Sequence, residues 1–415
     1  MTFNVTDVRD QFPSLHQQVD GVTPIFFDNP AGTQVPQRVI SAVSDYYLHK
    51  NSNQGAAYAR SQATDAMVYE ARALMADMLH ADRPEEIVFG PNMTTLNFNL
   101  SRAIAQTLPD DAEIVLTKMD HDANIAPWLT IARDHDWTVK WVELNTEDGT
   151  LDMASFEDAL SEKTRLVAAV HASNALGTIN PVAQMAEMAH QVGALFVMDA
   201  VQSAPHLSID VHQLGCDVVL CSAYKFFGPH IGVMWGRYDL LESLPAYKVR
   251  PAKDVTPYRW ESGTPSFETI AGTAEAARYL ASFGDDTPHA DYTGRALHFH
   301  NAFTTLQAYE NQLSAQLLTG LTALPHVTVA GITATDRVHQ RVATVSFMVD
   351  GMTPLDVATQ MWEQHRIQVW KGNYYAVEVM NAYDQSEQGM VRVGAVHYNT
   401  AAEIDRFLNA LEAIS

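Results

Sequence analysis

The chain has 415 residues, with 49 acidic against 26 basic side chains and a net charge of −23. That charge opposes binding to phosphate backbones and anionic lipid, so no nucleic-acid or membrane partner is expected, and the length supports a large core and two domains. Two cysteines, Cys216 and Cys221, exclude a disulfide framework and metal ligation by spaced thiols; they read as buried, inert thiols, and no metal site is expected. The first residues lack the basic and apolar regions of a signal peptide, and no apolar run of about 18 residues occurs, so a cytoplasmic protein is expected.

Residues 1–20 read as a short amphipathic arm, and Pro24 to Gly32 as a strand breaking into a turn. A polar loop at 51–60 precedes a helix near 64–80, where Ala71, Leu74, Met75, Met78 and Leu79 recur at helical spacing and face a core. Glu86 to Phe89 forms a strand, and Gly90-Pro91-Asn92-Met93-Thr94-Thr95 turns from it into a helix beginning near Leu96. Such a turn is either an ordinary Thr-capped start or an anion site, because unpaired N–H groups and the helix dipole converge there. Strand 113–117 delivers Asp120-His121-Asp122-Ala123-Asn124; a lone His in such a loop is by default structural or solvated. The apolar strand 165–171 runs into Ser173-Asn174-Ala175-Leu176-Gly177-Thr178, which alone is turn chemistry, and Pro181 opens the next helix.

Two further apolar runs follow. Ala194 to Met198 ends on Asp199, and Asp217 to Cys221 leads through Ser222-Ala223-Tyr224 to Lys225. Short β-branched runs separated by connecting segments read as neighbouring buried strands of a parallel sheet, and the strand–helix alternation from 86 to 225 extends that sheet into a doubly wound one. Ligands of such sheets gather at the strands' carboxyl ends. An Asp and a Lys there can be a helix cap and a solvated charge. Delivered together, they also suit pyridoxal phosphate (PLP): the amine forms a Schiff base and the carboxylate keeps the pyridine nitrogen protonated.

Asp-Ala-Val-Gln at 199–202 and Ser-Ala-Tyr-Lys-Phe-Phe-Gly-Pro at 222–229 resemble the paired signatures of the class V aminotransferase group of fold-type I PLP enzymes, and within it the cysteine desulfurase and selenocysteine lyase branch. The resemblance covers most of residues 20–410. It implies a mostly parallel, doubly wound α/β large domain over 21–280 and a smaller α+β domain formed by 1–20 and 281–415, with a helical link at 275–315 broken near 284–288. It further implies that Lys225 carries PLP and moves the Cα proton, that His121 stacks on the ring, and that Asp199 and Gln202 belong to the cofactor wall. Asn92, Met93 and Thr94 fall on the phosphate turn, with Ser222 as a further donor. Tyr224 stands where the branch usually has a phosphate-reaching His, and Asn174 falls near the phenolic oxygen and the substrate. Thr264, in Glu261-Ser262-Gly263-Thr264-Pro265, falls on a phosphate contact made across a dimer interface, so a homodimer with shared active sites is implied. Arg392 matches the arginine that forks onto the carboxylate of a small amino-acid substrate.

The chain departs from the branch where sulfur is handled. Tyr375 occupies the position of the persulfide-forming Cys, and tyrosine forms no persulfide. Asn373 and Tyr374 replace two His beside it, Trp370 an Arg, Asp122 a second His, and Asn53 and Ala57 the two His of the 51–60 loop. Asn53 and Tyr375 are therefore expected to meet the substrate through altered chemistry. The resulting expectation is Cα and Cβ chemistry on an amino acid. A β-lyase, on C–S bonds among others, stands ahead of an aminotransferase or epimerase, a desulfurase with another sulfur acceptor, and an inactive PLP-binding scaffold.

Overall fold

Seven strands build the larger sheet of the computed structural model, which describes residues 3–414: β1 (Ile87–Gly90), β2 (Glu113–Thr117), β3 (Thr138–Val142), β4 (Thr164–Val170), β5 (Leu195–Asp199), β6 (Val218–Ser222) and β7 (Gly232–Gly236). Their order is β1-β7-β6-β5-β4-β2-β3. Strands β3, β2, β4, β5 and β6 pair in parallel, and β7 runs antiparallel between β6 and β1. The expected α/β architecture is therefore present.

The apolar runs alternate strictly between two cores. Phe196, Met198, Val219 and Cys221 enter one layer, with helices Ala59–Leu79, Val182–Gln191 and Phe267–Ala281. Val197, Val218 and Leu220 enter the other, against Met93–Ala105 and Ala126–Asp134. Both faces are covered, which is why the strands read as continuous hydrophobic runs. The same period of two sends Asp199 and Ser222, next in register after Met198 and Cys221, toward the Met93–Ala105 side.

A second, antiparallel sheet has the order β8 (Val327–Ala330), β9 (Thr344–Val349), β11 (Met390–Gly394), β10 (Trp370–Gly372). Helices Pro354–His365 and Ala401–Ile414 cover it through Val357, Met361, Ile404, Phe407 and Leu411. Helix Gly294–Ala323 joins the two halves: Phe299, Phe303 and Leu306 lie in a core of the large sheet, Leu313, Leu317 and Leu321 in that of the small one. Residues at the first domain boundary divide between these cores. Ile25 and Phe27, assigned from sequence to the large domain, pack in the small core, where Ile25–Phe26 pairs in parallel with Ile367–Gln368. Phe12, assigned to the small domain, packs instead against Phe227 and Tyr279. Among the described residues no helix is long and apolar enough to cross a membrane.

Helix Met93–Ala105 begins three residues earlier than expected, and its cap is Asn92 rather than a threonine: the Asn92 side chain accepts from Thr95 N–H at 2.8 Å. The turn sits directly on β7. A Cβ built on Gly232 would lie 2.3 Å from the Asn92 carbonyl carbon, so only glycine lets strand and helix start approach. Gly232→Ala should cost about 1–3 kcal/mol of stability by overpacking, read as a lower melting temperature. An unchanged melting temperature would show that the turn yields freely.

Candidate active site

Five strand ends meet at one opening. The carboxyl ends of β1, β2, β4, β5 and β6 supply the turn at Asn92, the loop at His121, Asn174, Asp199 and the segment Ser222 to Lys225. They wall a cavity of about 80 Å³, lined by Asn92, Met93, Thr94, His121, Asn174, Asp199, Gln202, Ser222, Tyr224 and Lys225, with Ala123, Val170 and Val201 between them.

Lys225 follows β6 in a single 3₁₀ turn, Ala223–Lys225, and its Nζ donates to the Pro30 carbonyl. Burial, then the positive charge of Arg392, pulls its amine down from 10.5 to about 7, although Asp28 and Asp199 pull the other way. A neutral amine is thus accessible near neutral pH. Asp199, fully buried, is pushed up to about 6 by desolvation, against a hydrogen bond from Val201 N–H at 2.8 Å and the charge of Lys225.

His121 accepts from Ala123 N–H through Nδ1 at 3.0 Å, so the neutral ring carries its proton on Nε2. Desolvation, Lys225 and Arg392 hold it at about 4, and the imidazole is uncharged at neutral pH. Beneath it lies Asp120, which the sequence reading passed over. This buried acid is raised to about 8 by desolvation, accepts from Thr117 Oγ1, and takes Asn124 Nδ2 at 2.6 Å. It anchors the loop that carries His121.

At the turn into helix Met93–Ala105, Met93 N–H donates to Ser222 Oγ at 3.3 Å. Thr95 N–H is taken by the Asn92 side chain and Leu96 N–H by the Asn92 carbonyl, so the amide of Thr94, with the hydroxyls of Ser222 and Thr94 at a helix start, is what the turn offers an anion.

The small domain closes the other side. Arg392, on β11, is 3% exposed and lies behind the wall: its Nη1 donates to the Asn174 carbonyl at 3.0 Å, its Nη2 is 3.5 Å from Asp28 Oδ1, and its guanidinium sits 4.4 Å over the Tyr374 ring. Asp28 was also missed, although the turn containing it was singled out; burial raises its carboxyl despite Arg392. Tyr375 stands 68% exposed at the mouth, its ring 5.4 Å from that of His121. Tyr374 and Tyr375 both have positive φ, +53° and +58°, an unfavourable conformation for aromatic residues. Asp122 N–H to the Tyr375 carbonyl at 2.7 Å and Asn174 Nδ2 to the Tyr374 carbonyl at 2.9 Å hold that turn onto the cavity rim.

Four predicted residues do not line this cavity within one chain: Arg392 lies behind its wall, Tyr375 stands at its mouth, and two lie elsewhere. Asn53 and Thr264 are exposed and wall a separate hollow with Tyr258 and Phe267. Loop 51–58 is tied to the start of its own helix, Ser61 Oγ donating to the Asn53 carbonyl at 2.7 Å, which keeps Asn53 away from Lys225. Among the described residues no cluster of three or more His, Cys, Asp or Glu is placed to hold a metal ion.

The donor set fits pyridoxal phosphate. A buried amine and a buried carboxylate face one cavity, a helix start opens onto it, and two buried polar atoms, Asn174 Oδ1 and Arg392 Nε, have no partner among the described residues. Fold and site together define a PLP-dependent enzyme of fold type I.

The class-V aminotransferase family model matches residues 25–407, and the chain belongs to that family, whose members use pyridoxal phosphate. It is 33% identical to a probable cysteine desulfurase of Synechocystis sp., over 98% of this chain and 94% of that one. It is equally 33% identical to an aminotransferase-like protein of Gibberella zeae, over 100% and 99% of the two chains. The apo structure of a cysteine desulfurase from Thermococcus onnurineus superposes with a TM-score of 0.87 at 27% identity, covering 100% of this chain and 99% of that one.

The lowered Lys225 amine makes a checkable statement. Cofactor-stripped protein should recover its yellow colour on adding PLP at a rate that rises with pH through a midpoint near 7, as the neutral amine fraction grows. A midpoint near the ordinary 10.5 would mean that burial does not set this amine.

Proposed function

We propose that this protein is a PLP-dependent β-lyase acting on a small amino acid, with carbon–sulfur bonds the first to test. Bound PLP supplies an electron-accepting ring that makes the substrate's Cα proton removable. Lys225 would take that proton, Asp199 would hold the ring nitrogen protonated, neutral His121 would cover the ring face, and the turn at Asn92 to Thr94 with Ser222 and Tyr224 would hold the phosphate. Asn174, on the wall, would meet the substrate carboxylate, Arg392 would reach it from behind that wall through the guanidinium whose Nε has no partner among the described residues, and Tyr375 would screen the mouth from water.

One observation carries the choice of reaction. Position 375 presents an exposed phenol at the mouth, and both thiols of the chain are buried away from it. Desolvation, then Asp199, pushes Cys221 up to about 12, and desolvation and Asp217 raise Cys216 as well. No protein thiolate is available to accept sulfur, so the β-substituent leaves to solvent and the remaining carbon skeleton hydrolyses to a keto acid and ammonia. A second reading, aminotransferase, is favoured by the aminotransferase-like relative from Gibberella zeae. The exposed tyrosines Tyr47, Tyr58, Tyr69 and Tyr258, with Leu48, support a homodimer in which Thr264 of one copy completes the phosphate site of the other.

Incubating purified holo-protein with a panel of amino acids separates the two readings. Keto acid plus ammonia without pyridoxamine phosphate supports the lyase; stoichiometric pyridoxamine phosphate supports the aminotransferase and rejects the lyase. Replacing both cysteines, Cys216→Ala with Cys221→Ala, should leave turnover within about twofold of the parent, because buried neutral thiols take no part in the reaction; loss of turnover in a folded variant would restore a thiol mechanism. Arg392→Ala should weaken amino-acid binding by roughly 10–100-fold, the worth of a charged hydrogen-bonding partner, while bound cofactor absorbance persists. Unchanged apparent affinity for every active substrate rejects its assigned role.

A further inference from the structure

Loop 174–177, which follows β4 and brings Asn174 to the cavity wall, is held by its backbone. Four successive carbonyls of this large-domain loop each accept from a donor of the small domain. Asn174 takes Arg392 Nη1 at 3.0 Å, Ala175 takes Ser346 Oγ at 2.7 Å, Leu176 takes Arg341 Nη2 at 3.0 Å, and Gly177 takes Val342 N–H at 2.9 Å. The fit is close: Gly177 has φ +78°, and a Cβ built there would lie 2.3 Å from the Thr344 carbonyl oxygen. Only a residue without a side chain lets the loop lie against the opening of β9.

Arg341 stands out among these donors. It is 1% exposed, burial alone pulls it down from 12.5 to about 10, and no neighbouring carboxylate among the described residues offsets that burial. Its guanidinium gathers backbone carbonyls instead: Nη1 donates to Ile332, Nη2 to Leu176 and Thr344, and Nε lies 3.4 Å from the Val342 oxygen. Leu176 belongs to the large domain and the other three to the small one. A buried charge without a counter-ion is unfavourable unless its N–H groups are paired, and only a planar fork of several donors joins oxygens from three segments at once. Burying this charge therefore depends on the loop standing where it does.

We propose that Arg341 is a positioning residue for substrate recognition: by tying loop 174–177 to the opening of β9, it sets where the Asn174 side chain and the Arg392 guanidinium stand relative to Lys225. Asn174 shows why both groups are involved. Its Nδ2 donates to the Tyr374 carbonyl at 2.9 Å, its own carbonyl holds Arg392, and its Oδ1 has no partner among the described residues. A shift of this one loop displaces the two groups assigned to the substrate carboxylate, whereas Lys225, Asp199 and the turn at Asn92 stand on other strand ends. The proposal rests on reading the cavity as a PLP site that takes an amino acid.

Purified holo-protein titrated with L-alanine and with L-cysteine tests this, binding being read from the change in cofactor absorption rather than from turnover. Arg341→Lys keeps the charge but cannot span the three segments. It should leave cofactor content and the absorption of the free holo-protein unchanged, and weaken apparent affinity for both amino acids about tenfold or more, the scale of one lost charge-assisted hydrogen bond. Asn174→Ala should weaken it too, and in the double variant the two losses should fall short of their product by about fivefold or more, because both act through one group. Should Arg341→Lys fail to accumulate as folded protein, Ser346→Ala, which removes one donor to the loop, must give a loss that Asn174→Ala likewise absorbs. Unchanged affinity in a folded Arg341→Lys makes Arg341 a structural residue only and overturns the proposal, as do losses that multiply in full or loss of bound cofactor; the amino-acid site then stands. A cofactor-loaded parent whose absorption answers neither amino acid overturns the reading of the site, and the proposal with it.

Discussion

Everything at this site follows from taking one amine out of water. Lys225 sits beyond β6 among apolar strand ends, and desolvation does more than any neighbouring charge to bring it from 10.5 to about 7. The same desolvation raises Asp199 and lowers His121, so the three groups nearest the cavity are drawn toward, or past, neutrality. A dry cavity holding weakly charged groups is costly to an empty protein and well suited to a ligand that brings a charged phosphate and a protonated ring nitrogen of its own. The sheet tolerates the cost because both of its faces are fully packed.

The small domain acts as the second wall of that cavity. Arg392 reaches the site through the Asn174 carbonyl and Asp28, and the turn carrying Tyr374 and Tyr375 is held in its left-handed backbone by hydrogen bonds to Asn174 and Asp122. Two positive-φ tyrosines cost on the order of 1 kcal/mol or more each. The bonds that hold them come from the loops that carry His121 and Asn174, so the position of the small domain and the geometry of the cavity are coupled. Helix Gly294–Ala323, with one end in each core, and the buried contacts from Gln202 through His206 and Glu310 to His397 make the same connection at a second place.

Much of this was readable before any coordinates. The alternation of apolar runs predicted the strands ending on Asp199 and leading to Lys225, and ten of the predicted residues meet around the cavity at those strand ends. Periodicity carried that far because a buried parallel strand must be apolar throughout, so the first polar residue after it marks its carboxyl end. Asp120 and Asp28 escaped notice because a single carboxylate in a loop looks solvated until its burial is known. Asn53 was expected to meet the substrate and Thr264 to reach a phosphate across a dimer interface, and within one chain both lie in a separate surface hollow, because a contact made between subunits has no counterpart in a single chain.

By itself, then, the sequence determined the sheet, the lysine and carboxylate at its strand ends, the family, and the tyrosine standing at position 375, since all of these are properties of local pattern. Tertiary structure alone decided that Arg392 lies behind Asn174 and that Glu310 stands behind His206 and Gln202. Those depend on desolvation and on contacts between segments separated by about a hundred residues or more in the chain, as with the separation of 104 between His206 and Glu310, and no local pattern encodes how deeply a charge is buried or what it faces.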